Sequence, residues 1–159
     1  MSDDRRQYFE RYTEAWNDHD PDAVTAQFAP GGTYVDPSLD APLARDEVPD
    51  FVAETVAAFP DVEFTERRVV TDRSGDDLVL VAEWTMVGTH AGVFEGVPPT
   101  GERIELEGTD VVTVSREGIE SITGYFDQRE VLDQLGLTFP AVLGQVPTLA
   151  VGAVRAALS

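Results

Sequence analysis

Two hydrophobic periods divide the chain. Over the first sixty residues the apolar side chains recur at helical spacing. Tyr8, Tyr12 and Trp16 repeat every four positions with charges between them, which predicts an amphipathic helix over residues 3–17. The run Asn17-Asp-His-Asp-Pro-Asp22 is turn chemistry; Asp20 suits an N-cap and Pro21 a first helical position, so a second helix is expected over 21–28. A short strand signal over 31–37 closes at Pro37. A third helix over 46–59 carries Val48, Phe51, Val52, Thr55, Val56 and Phe59.

From Pro60 the pattern changes to runs rich in β-branched and aromatic residues, at 62–71, 78–90, 103–115 and 119–126. Gly75-Asp-Asp and Arg116-Glu-Gly118 sit between runs as hairpin turns. Asp127-Gln-Arg-Glu130 reads as a capping box opening a helix with Val131, Leu132 and Leu135 that stops at Gly136. Residues 137–159 are apolar, and Pro140 and Pro147 are expected to break them before a short helix from Thr148. The expected fold is α+β: a cone-shaped barrel of a strongly curved, mainly antiparallel sheet packed on three N-terminal helices, with an additional C-terminal helix. No repeat or composition break marks a second domain, so residues 1–136 form the cone and 137–159 an apolar extension packed on it or on a partner subunit.

Composition narrows the function classes. The 159 residues are 42% hydrophobic and 26% charged, as in a folded globular domain. Eleven basic against thirty acidic residues give a formal charge of -19, which repels phosphate backbones and anionic head groups and argues against nucleic-acid and membrane partners. Every basic residue is arginine, a bias of high-salt adaptation, where a Debye length of about 3 Å at 1 M screens self-repulsion. Without cysteine there is no disulfide, thiolate nucleophile or zinc–thiolate site. The two histidines, His19 and His90, lack ligand spacing, so no metal is expected. Neither a secretory segment nor an apolar span is visible, and the expected location is cytoplasmic.

Among residues able to do chemistry, Asp110 stands out because its strand, Val111-Val-Thr-Val114 and the residues before it, is of buried type. If the carboxyl faces inward, desolvation raises its pKa and makes it an acid–base candidate; if strand alternation turns it to solvent, it is one more surface aspartate. Asp36, ahead of Pro37, is either a turn starter or a carboxylate at a strand end. His90 lies where a strand runs into a loop with Gly92 and Pro98-Pro99, and is either a rim residue or packed with its ring bonded to the loop. Trp84, Phe94, Tyr125 and Phe126 are candidates for an aromatic pocket or for plain core.

The order of elements, with Tyr12-Thr-Glu-Ala-Trp-Asn17 in the first helix and Asp20-Pro-Asp-Ala23 opening the second, resembles the nuclear transport factor 2-like superfamily. More specifically, Trp84-Thr-Met-Val-Gly-Thr-His-Ala-Gly-Val-Phe-Glu-Gly-Val-Pro-Pro-Thr-Gly101 resembles the strand-loop-strand hallmark of SnoaL-like polyketide cyclases, also called ester cyclases. Gly118-Ile-Glu-Ser-Ile-Thr-Gly-Tyr-Phe-Asp127 and Leu132-Asp-Gln-Leu-Gly136 are similar to that family's ending, so the resemblance covers residues 8–136. It implies a homo-oligomeric enzyme, commonly a dimer through the outer sheet face, needing neither metal nor cofactor. Such an enzyme closes a ring in a polyketide ester by intramolecular aldol chemistry.

The same resemblance assigns sites. The family's acid–base aspartate falls at Gly124, and its polar partner on the preceding strand at Asp110. Asp36, Tyr12 and Asp110 also resemble the tyrosine and two aspartates of ketosteroid isomerases: Asp36 would take a proton beside a carbonyl while Tyr12 and a protonated Asp110 donate to the enolate. The expected catalytic set is therefore Asp110, Asp36 and His90. Tyr12, Trp16, Trp84, Phe94, Gly124 and Phe126 are expected along a small hydrophobic carbonyl substrate. Gly124 leaves a second reading open, a binding protein with the same cone and no turnover.

Overall fold

Strict alternation along the long strands sets the architecture. The computed structural model describes residues 4–138 and 141–158. Helices α1 (Arg6–Asn17) and α2 (Pro21–Thr25) lead into strand β1 (Phe28–Val35), a two-residue β2 (Leu43–Ala44), a single 3-10 turn and helix α3 (Val48–Ala58). Then come β3 (Glu63–Ser74), β4 (Asp77–Thr89), β5 (Arg103–Val114), β6 (Ile119–Phe126) and helices α4 (Gln128–Gln134) and α5 (Val142–Ala157). The six strands form one curved, unclosed sheet in the order β2-β1-β6-β5-β4-β3, antiparallel except for the parallel pair β1–β6.

In β4, Leu78, Leu80, Ala82, Trp84 and Met86 are buried, while Val81 between them is 38% exposed. In β5 the buried set is Ile104, Leu106, Asp110, Val112 and Val114. Period-two alternation thus gives the sheet one face for the helices and one for solvent. The inner face meets α1, α2 and α3 in a core of Tyr12, Trp16, Val24, Val52, Leu80, Val112 and Ile122. Toward α4 a second cluster gathers Phe59, Trp84, Met86, Ile104, Leu106, Val131 and Leu135.

Three local expectations need correction. The second helix ends at Thr25, because Phe28 enters β1 opposite Ile119 and is fully covered there; sheet pairing overrides the helical pattern. Asp127 caps α4 by accepting from the Arg129 N–H at 2.9 Å, but the Glu130 carboxylate accepts from Gln134 at 3.2 Å, so the reciprocal half of the capping box is not made. Pro147 does not stop the last helix; α5 runs through it for 16 residues, most of the described ones exposed. On the cone side α5 presses Gly152 against the loop before β5, so closely that a Cβ there would stand 2.3 Å from the Pro98 Cβ. Its other side leaves Val146, Val151, Val154 and Leu158 exposed.

The alternation makes a direct prediction. Leu80→Ala, at a fully buried site, should cost about 2–5 kcal/mol in urea unfolding. Val81→Ala on the outer face should cost about 1 kcal/mol or less. Equal losses at both positions would contradict the inside–outside assignment.

Candidate active site

The site is built where three strand positions face one another. Asp110 is in phase with the buried set of β5 and is only 8% exposed. Its partner across the β5–β6 ladder is Gly124. A Cβ on Gly124 would lie 3.2 Å from Asp110 Oδ1, 3.2 Å from the Asp36 Cβ and 3.8 Å from the Tyr34 hydroxyl. The bare backbone at position 124 is therefore the floor over which both carboxyl side chains and a phenol meet.

Asp36 follows β1 and is buried. Tyr34 Oη donates to Asp36 Oδ2 at 2.8 Å. Ser38 donates to Oδ1 twice, from its backbone N–H at 2.8 Å and from Oγ at 2.6 Å. The Asp-Pro-Ser sequence thus forms a side-chain-bonded turn that locks this carboxyl in place. Asp110 has no such clamp. Burial, opposed by the nearby Trp84 indole N–H and reinforced by the Asp36 charge, pushes its pKa up to about 7. Tyr12 is pushed well above the usual phenol range, first by burial and then by the Asp110 charge, and so keeps its proton as a donor. Burial acts on Tyr34 in the same direction.

A cavity of about 100 Å³ opens between the two core clusters and is walled almost entirely by hydrocarbon and aromatic rings. Of the residues expected at the site, Asp110, Asp36, Tyr12, Trp16, Trp84, Phe94 and Phe126 line it. Gly124 lies against Asp110 and Asp36. Tyr125 points outward and is 57% exposed. His90 is not on the cavity wall. It is fully buried, with its ring centroid 5.5 Å from that of Phe59 and 6.4 Å from that of Phe94. His90 Nδ1 accepts from the Thr100 N–H at 3.2 Å and lies 3.0 Å from Thr100 Oγ1, while burial lowers the pKa of the ring. The imidazole thereby ties together the two ends of the 91–101 loop, whose tight turn at Glu95 and Gly96 carries Phe94 into the cavity.

Sequence reasoning passes over Tyr34 and Ser38, which hold Asp36, and Phe9, Phe51, Phe64 and Met86, which complete the wall. Tyr34 and Ser38 flank Asp36 at two residues on either side, a signal that is readable once Asp36 is singled out. Among the described residues no cluster of three or more His, Asp and Glu side chains suited to a metal ion occurs, and no helix is long and apolar enough to cross a membrane.

The model of the SnoaL-like polyketide cyclase family matches residues 6–135. The chain belongs to that family. Solved structures place this SnoaL-like protein among cones of the ketosteroid isomerase-like type. IdmH of Streptomyces antibioticus, a candidate polyketide cyclase, is 28% identical with a TM-score of 0.66, over 84% of this chain and 99% of its own. A protein of ketosteroid isomerase-like fold from Catenulispora acidiphila, solved with trimethylamine, is 26% identical with a TM-score of 0.66, over 85% and 95%. A SnoaL-like protein of Jannaschia is 18% identical with a TM-score of 0.71, over 82% and 90%, and speaks for the fold alone. No curated protein matches the chain. Family and fold together support cyclase-type function in general for this SnoaL-like chain.

The raised Asp110 pKa also makes stability depend on pH. The folded state holds this proton more tightly than the unfolded chain, so the associated stability is complete below about pH 4 and is lost as pH rises through about 7. Relative to Asp110→Asn, the wild-type protein should lose stability between about pH 4 and 8, by a few kcal/mol at most, at about 1.4 kcal/mol for each pH unit between the unfolded and folded pKa. Urea midpoints of the two proteins measured across that range should diverge; parallel curves would show that the carboxyl is not desolvated.

Proposed function

We propose that the protein is a cofactor-independent acid–base enzyme acting on a small hydrophobic carbonyl compound through an enolate, with Asp110 as the group that moves the proton. The observation that carries this reading is a single unclamped carboxyl, pushed up to about 7, on the wall of an aromatic-lined cavity. A group that titrates near neutrality is present in both forms and so can take and return a proton in one turnover. As carboxylate, Asp110 removes a proton from the carbon beside the substrate carbonyl, and the electron pair moves to the carbonyl oxygen. In an aldol closure the enolate carbon then bonds to a second carbonyl carbon of the same molecule, and Asp110 returns its proton to the new alkoxide. Atoms and charges balance with no added oxidant or reductant.

The other residues take supporting parts. Tyr12 donates to the oxygen that becomes negative. Asp36, occupied by Tyr34 and Ser38, is better suited to a fixed charge that holds the Asp110 pKa up than to the base role that ketosteroid isomerase resemblance suggests. Trp16, Trp84, Phe94 and Phe126 exclude water and favour a flat apolar ligand. His90 acts through the loop that presents Phe94. The absence of a side chain at Gly124 does not remove the chemistry, because Asp110 extends over that position from the neighbouring strand.

Deuterium uptake tests the proposal without knowledge of the natural substrate. A panel of cyclic and aryl ketones incubated in D₂O should exchange the protons beside the carbonyl faster with the protein present. The rate should rise with pH and level off above about 7. Asp110→Asn should reduce the enhancement by about 10²–10⁴-fold. Exchange that is catalysed equally by the variant would assign the proton transfer to another group.

A further inference from the structure

Trp84 presents a buried donor that no acceptor in the protein meets in hydrogen-bonding geometry. Its ring lines the cavity, yet its indole Nε1 is buried and makes no hydrogen bond. An indole N–H is a donor only, and leaving it unpaired inside a protein is unfavourable because the group has lost its water. Orphan donors of this kind are rare enough in native structures to need a reason.

The indole is also held in place by a specific arrangement. Its cross-strand partner on β5 is Gly108. A Cβ at 108 would lie 2.2 Å from Trp84 Cζ2 and 2.8 Å from Cε2, so the ring rests directly on bare backbone. Phe64 and Phe126 close on it edge to face at 5.7 Å and 6.4 Å between centroids. Gly108 and Asp110 share the inner face of β5, two residues apart, which sets the nitrogen-bearing side of the indole beside the Asp110 carboxyl. The indole N–H lies near enough to favour the Asp110 carboxylate against the effect of burial, but the two do not meet in hydrogen-bonding geometry.

We propose that the Trp84 indole N–H joins Tyr12 as a second hydrogen-bond donor to the substrate's carbonyl oxygen, holding the negative charge that develops there while Asp110 removes the adjacent proton. The inference rests on the enolate reading above and deepens it. It requires a ligand with an acceptor oxygen at the Asp110 end of an otherwise apolar body, and it gives that oxygen a fixed donor in a low-dielectric site. A donor that is preorganised and unpaired before binding loses no existing bond when the oxygen arrives. Its stabilisation therefore falls on the charged state rather than on the resting enzyme.

Two tryptophans in the chain make the experiment simple. A ¹H–¹⁵N spectrum of the full-length protein shows two indole signals, assigned by a Trp84→Phe or a Trp16→Phe variant. The probes are 4-nitrophenol, whose phenolate mimics an enolate oxygen, and toluene, which has the ring without the oxygen. The expected result is that 4-nitrophenol moves the Trp84 indole proton downfield while toluene binds without that shift. Trp84→Phe should then weaken 4-nitrophenol about 10- to 100-fold more than it weakens toluene, the range for a hydrogen bond to a charged acceptor. If both probes bind and the Trp84 signal responds equally to each, or to neither, the donor role is overturned and the enolate reading stands. If neither probe enters the cavity, that reading falls as well. The wild-type spectrum decides between these outcomes even if the variant does not fold.

Discussion

The structure depends on one costly placement, a carboxyl group on the dry side of a sheet. Asp110 sits in register with Ile104, Leu106, Val112 and Val114, where any ordinary strand of this sheet would carry another aliphatic residue. The chain has thirty acidic residues, and among the described ones only Asp36 and Asp110 are buried. Burial of an acid is unfavourable for its charged form, and the two cases handle it differently. Asp36 receives three hydrogen bonds from Tyr34 and Ser38. Asp110 receives no comparable set and instead holds its proton up to about neutrality. That difference separates a carboxyl that shapes the site from one that can react in it.

Glycine supplies the room. Gly124 stands across the ladder from Asp110, and Gly108 across the ladder from Trp84. Both glycines are in strand conformation, so their role is close approach rather than unusual backbone angles. At Gly108 the missing Cβ admits an indole ring; at Gly124 it admits the end of the Asp110 side chain, the Asp36 Cβ and a phenol. A site crowded with aromatic rings thus gains its polar end without widening the sheet. The acidic exterior plays no part in that geometry, since the cavity wall is nearly all apolar.

The fold is legible in the sequence to the extent that period and punctuation are strong. The four long strand runs are recovered within a few residues of their ends, because alternation and the turns at Gly75 and Gly118 are local signals. Phe28 escapes a local reading because only its long-range pairing with Ile119 draws it into β1, and α5 outruns its expected length because the helix continues through Pro147. At the site, the buried type of its strand is enough to raise Asp110 as a candidate with its direction left open, and the family motif is enough to raise Trp84, Phe94 and His90. What sequence alone lacks is direction: His90 turns to Thr100 rather than to the cavity, and Tyr34 turns to Asp36. Side-chain direction at a strand end depends on loops whose course no local pattern encodes.

Gly124 illustrates why a missing residue is a weak argument against activity when the neighbouring strand is considered. Adjacent strands lie about 4.8 Å apart, which is within the reach of an aspartate side chain from a directly opposed position. Position 110 is fourteen residues from 124 in the sequence, yet the Asp110 oxygen lies 3.2 Å from where a side chain at 124 would begin. The cavity sees the oxygen, not the strand that carries it. An antiparallel ladder therefore lets a carboxyl on one strand reach the space of the directly opposed position, provided that the residue there is small enough to admit it. Glycine is the residue that satisfies this condition most fully, and at position 124 it adjoins both buried carboxyl side chains at once.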